Sequence, residues 1–130
     1  MKDVKRIPRK VWYGLESKSY LEIAQELPAD DGLRKWIAIY ATYQLNFENR
    51  RPGRNFYKFI EDSKNSNYVA IEFTIPIKTL ETQDSIDSSD ITIINLKPLE
   101  DEDEIGQFIQ EKQINPELFN PPWGCDYPLD

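Results

Sequence analysis

The sequence contains no histidine and a single cysteine, Cys125. Histidine is the side chain best suited to proton transfer near neutral pH and the usual ligand of catalytic zinc. Serine triads, Cys–His dyads and zinc deaminase or protease sites therefore lack a required residue here. One thiol builds neither a thiolate metal site nor an internal disulfide, which points to a reducing compartment. No apolar run long enough for a signal peptide or a membrane span follows the N-terminal MKDVKRIPRK, so a cytoplasmic location without membrane contact is expected. The five glycines stand singly, which leaves no phosphate-cradling loop.

What is present argues for a packed interior. The 130 residues are 39% apolar and include three Trp, seven Tyr and six Phe, so the expectation is one domain spanning 1–130. The net charge of -7 hides an asymmetry between the halves. Residues 1–68 carry thirteen Lys/Arg against nine Asp/Glu, whereas residues 69–130 carry three against fourteen. A half of net charge -11 repels nucleic acid and anionic lipid and suits a basic protein surface.

Along the chain, the basic N-terminus and the run Val11, Trp12, Tyr13 and Leu15 read as a short strand or extended arm. Ser19 and Glu22 form a capping-box pattern, and Tyr20, Ile23, Ala24 and Leu27 follow at helical spacing, which predicts a helix ended by Pro28. Asp30 or Asp31 would cap a second helix over 33–47, its apolar face formed by Leu33, Trp36, Ile37, Tyr40, Tyr43 and Phe47. The alternation of Ile37, Ile39, Ala41, Tyr43, Leu45 and Phe47 keeps a strand open there; the helix is preferred. After the Pro52-Gly53 turn, Phe56–Ile60 reads as a strand that forms a hairpin with NYVAIEFTIPI. In the latter, Val69, Ile71, Phe73, Ile75 and Ile77 share one face, with Tyr68, Ala70, Glu72 and Thr74 on the other. Residues 81–90 read as a polar loop and Ile91–Leu96 as another strand, closed by Pro98. The acids Glu100, Asp101, Glu102, Asp103 and Glu104 sit at the start of a helix whose apolar positions are Ile105, Phe108 and Ile109. The proline-rich end, NPELFNPPWGCDYPLD, cannot continue a helix or a central strand and reads as an anchored tail.

The fold class expected is α+β: an antiparallel sheet of about three to five strands, N-terminal helices packed on one face, and a C-terminal extended tail. No catalytic residue, metal ligand or cofactor is assigned. Glu72 with an acid of the following loop is the pair a carboxylate enzyme would need, but nothing in the spacing favours it over surface solvation. Asp84, Asp87 and Asp90 lack the alternate-residue ligands, glycine and closing glutamate of an EF-hand loop. Arg50, Arg51, Arg54 and Lys58 around Phe56 and Tyr57 form a possible nucleic-acid patch, which the acidity of the whole chain opposes. One or two acids complement a helix dipole, and five in a row repel one another unless a basic partner compensates them. The partner-binding residues expected are therefore Glu100, Asp101, Glu102, Asp103 and Glu104 with Asp84, Asp87 and Asp90, together with the interface-type aromatics Trp123 and Tyr127. The function expected is a non-catalytic inhibitor that occludes a basic protein, as an immunity protein or antitoxin does to a nuclease-type toxin. The rivals are a phage-type DNA mimic, an accessory or scaffold subunit, and a small carboxylate-dependent enzyme.

Overall fold

The computed structural model describes residues 6–44, 58–63, 65–84 and 86–129, with the side chains at 58 and 61 excepted. Its centre is a four-stranded antiparallel sheet in chain order: β1 (Glu22–Leu27), β2 (Leu33–Tyr40), β3 (Tyr68–Pro76) and β4 (Thr92–Leu99). The helices are α1 (Arg9–Glu16), α2 (Lys58–Asp62), α3 (Ile77–Thr82) and α4 (Glu102–Glu111). This is an α+β arrangement, with the two N-terminal helical expectations replaced by strands.

The reason lies in burial on both faces. On one face, Ile23, Ile37, Ile39 and Ala70 pack against Trp12 and Leu15 of α1, Ile105, Phe108 and Ile109 of α4, and Phe119. On the other, Trp36, Ala38, Tyr40, Val69, Ile71, Phe73 and Ile75 pack against Phe59 and Ile60 of α2, Ile86 and Leu129. A strand covered on both sides reads as a continuous apolar run, and WIAIY of β2 is buried at all five positions. Such a run matches a helical stripe as well as a strand. In β1, Ile23 and Ala24 enter opposite cores, so their helix-like spacing is a coincidence of facing. The Asp31-Gly32 pair, expected near a helix start, forms the β1–β2 turn, where Gly32 takes φ +84 and Leu33 N donates to Asp30 O.

The expected N-terminal arm is helical instead, and the Ser19–Glu22 pattern closes this helix rather than opening another. Lys18 stands in the left-handed region at φ 66. Lys18 N donates to Leu15 O and Ser19 N to Gly14 O, a Schellman closure. Gln113, at φ 59, ends α4 identically through Gln110 O, while Ile114 N bonds Ile109 O.

The face assignment of β3 holds from Tyr68 to Ile75; Ile77 has left the sheet as the first residue of α3. Residues 55–57 lie outside the described residues, and 58–62 form α2, so the expected hairpin partner of β3 is replaced by β2. The first part of the expected 81–90 loop belongs to α3, and residues 88–90 form a 3-10 turn. β4 continues through Pro98, which an edge position tolerates because no ladder bond is lost. The C-terminal segment contains 3-10 turns at Pro116–Leu118 and Pro122–Gly124, and Asn120 exchanges two backbone hydrogen bonds with Ala24, both 2.9 Å. Among the described residues no helix is long and apolar enough to cross a membrane.

Candidate functional site

The acid run opens α4 as expected, and the fold assigns its members different tasks. Asp101 is the N-cap: its carboxylate accepts from Glu104 N at 2.9 Å, and Glu104 in return accepts from Glu100 N at 3.2 Å. Glu102 leans back to α1 and holds the Arg9 guanidinium through two contacts, one to each carboxylate oxygen. This hydrogen-bonded pairing with Glu102 raises the Arg9 pKa above its ordinary value. Glu100 and Asp103 point outward at the surface.

The end of β4 brings Glu100, Asp101 and Glu102 beside the start of β3 and the last turn of α1. There they border a cleft of about 290 Å³, whose other walls are Trp12, Glu16, Tyr43, Asn67 and Tyr68. Tyr68 is central to the aromatic wall, with Trp12 at 5.6 Å and Tyr43 edge-on at 5.4 Å between ring centroids. Burial, then the hydrogen bond to Tyr43, pushes the Tyr68 phenol well above its usual pKa. Asn67 closes the corner by donating to Glu100 O at 3.0 Å. Chemically, the cleft offers carboxylates beside the exposed Tyr43 ring, a combination suited to an ammonium or guanidinium group.

Asp84, Asp87 and Asp90 are not part of this cleft. They lie at the opposite end of β4, whose eight residues span about 26 Å. Asp87 and Asp90 form a capping box around the 3-10 turn at 88–90, with Asp87 N donating to Asp90 at 2.8 Å, while Asp84 is exposed. Trp123 is 74% exposed and rests edge-on against Tyr20. Tyr127 is half-buried, its hydroxyl 2.6 Å from that of Tyr40 and its ring edge-on to Phe73, so it anchors the tail to the second core. Glu72 lies within the sheet, accepting from Asn95 at 2.7 Å with Lys35 at 3.6 Å. Arg50, Arg51, Arg54, Phe56 and Tyr57 lie outside the described residues.

Glu16, Tyr43, Asn67 and Tyr68 join the acid run only through the fold. Glu16 carried no signal in the sequence, because a single acid at a helix end is ordinary. Tyr43 was assigned to a helix face that does not form. No protein-family model matches the chain, and no curated protein and no solved structure matches it.

Proposed function

We propose that this chain is a non-catalytic inhibitory binding protein, an immunity protein or antitoxin that occludes the basic surface of a nuclease-type toxin. The observation that carries this reading is the cleft at the start of α4, where carboxylates from both halves of the chain, Glu16 and Glu100–Glu102, border an aromatic wall. Of these acids only Glu102 is held by a cation among the described residues. A lysine or arginine of the partner entering here meets carboxylates and the exposed Tyr43 ring together.

Against a carboxylate enzyme, the cleft acids Glu16, Glu100 and Asp101 are exposed, and the more buried Glu72 is bonded to Asn95 beside Lys35.

Co-purification from the native host tests the proposal. At about 50 mM salt the wild-type chain is expected to retain a basic protein that washes off at about 500 mM, as screening of an ionic interface demands. The Glu16→Lys/Glu100→Lys variant is expected to lose it at both. Recovery of no partner at low salt, or equal recovery by the variant, would discard the reading.

A further inference from the structure

The two edges of the sheet are finished differently. At the β1 edge, Asn120 pairs with Ala24 through two backbone bonds, and Gln25 Nε2 donates to Asn115 O at 2.8 Å. At the β4 edge, the backbone pairs only with β3 among the described residues. An open edge presents a row of free N–H and C=O groups, which natural proteins normally cover or charge. Here it also carries the largest run of exposed aliphatic side chains: Ile93 at 45%, Ile94 at 46% and Leu96 at 38%. A register skip in the pairing, Glu72 with Asn95 and then Phe73 with Ile93, leaves Ile94 without a β3 partner, so consecutive isoleucines are exposed.

We infer that a second copy of this chain adds to the β4 edge in antiparallel fashion, giving a two-fold dimer with a continuous eight-stranded sheet. The sequence of the edge is self-complementary. Within an acidic half, residues 91–99 hold no acid and one base, Lys97. With the two-fold axis between Ile93 and Ile94, the cross-strand neighbours are Ile93 with Ile94 and Thr92 with Asn95 and, one residue before β4, the extended Ile91 with Leu96. Each pair is apolar with apolar or polar with polar, which are favourable combinations across a ladder. The edge is thus an acid-free stretch on which two chains of net charge -7 approach with little direct repulsion.

Sedimentation of the full-length chain at concentrations up to about 200 µM tests the dimer. Since the net charges repel, association is expected to tighten as salt rises from about 50 to about 500 mM, opposite in sign to the docking of a basic partner, so either idea can fail alone. Ile93→Lys/Ile94→Lys, at exposed positions, is expected to weaken the dimer at least about tenfold with an unchanged circular dichroism spectrum. A chain that stays monomeric at both salt concentrations, or a dimer indifferent to the isoleucine replacements, overturns the inference.

Discussion

Trp36 on β2 has no exposed surface, stacks on Phe73 with centroids 6.1 Å apart, and donates its indole N–H to Cys125 O at 3.1 Å. One side chain thus fills the second core and pins the tail. Trp36→Ala is expected to cost about 3 to 5 kcal/mol in urea unfolding, and to expose the segment after residue 120 to proteases. Gly14 is constrained from outside its own helix: a Cβ there would stand 2.2 Å from the Tyr20 hydroxyl, which donates to Val11 O. Gly14→Ala therefore raises helix propensity yet is expected to destabilise by about 1 to 3 kcal/mol, read as a lower thermal midpoint. Cys125, half-buried beneath the tail, has its thiol pushed up to about 11 by burial, with the charge of Asp126 adding to it. The thiol fraction ionised at pH 8 is then about a hundredfold below that of an unperturbed cysteine, and iodoacetamide is expected to react correspondingly slowly until urea unfolds the chain. The sign for stability follows from the same shift. Because the folded pKa lies above the unfolded value, the neutral thiol stabilises the fold fully below pH 9, and this contribution fades as pH rises towards 11. The raised phenols of Tyr20 and Tyr68 act in the same direction, their contribution being present below the ordinary phenol range and lost above it.

At the scale of elements, both α1 and α4 close through a left-handed residue that is not glycine, Lys18 and Gln113. A side chain in that region costs about 1 kcal/mol relative to glycine. Lys18→Gly and Gln113→Gly are therefore each expected to raise stability by about 0.5 to 1 kcal/mol in urea titrations, with no change of fold. The same substitution of ordinary residues for glycine hid the end of α1 in the sequence, because the punctuation that marks a helix C-terminus is missing there. α4 was legible, since acids crowd its first turn and Ile105, Phe108 and Ile109 keep helical spacing. Asp101→Ala is expected to cost about 1 kcal/mol and to fray its first turn in hydrogen exchange. β3 was legible because nine residues alternate between two cores whose side chains differ in size, large at Ile71, Phe73 and Ile75 and small at Ala70. β2 was not, since its apolar run WIAIY is enclosed on both faces, and β1 was not, since Ile23, Ala24 and Leu27 happen to fall at helical spacing.

Across the whole molecule, the division of charge in the sequence survives only in part. Arg9–Glu102, Arg34–Asp126 and Lys35–Glu72 tie bases of the first half to acids of the second, while Arg34 also holds Glu26. Of the other acids of the second half, Asp84, Asp87 and Asp90 precede β4 and Glu100, Asp101, Asp103 and Glu104 follow it, while Glu81, Glu111 and Glu117 are exposed on other elements. If the cleft group is the docking surface, Glu100→Gln is expected to weaken partner binding more than Asp84→Gln does, by about threefold or more at low salt, measured by titration calorimetry with the captured partner. Composition and local chemistry determined which roles were open: the absence of histidine removed whole classes of catalysis, and the clustering of acids placed a helix start and an excess of negative charge at 100–104. Tertiary structure decided which faces are buried, which carboxylates are neutralised and which aromatics meet them. Those outcomes depend on the juxtaposition of residues far apart in the chain, such as Glu16, Tyr68 and Glu100 around the cleft, and no local pattern of side chains encodes a neighbour that only folding supplies.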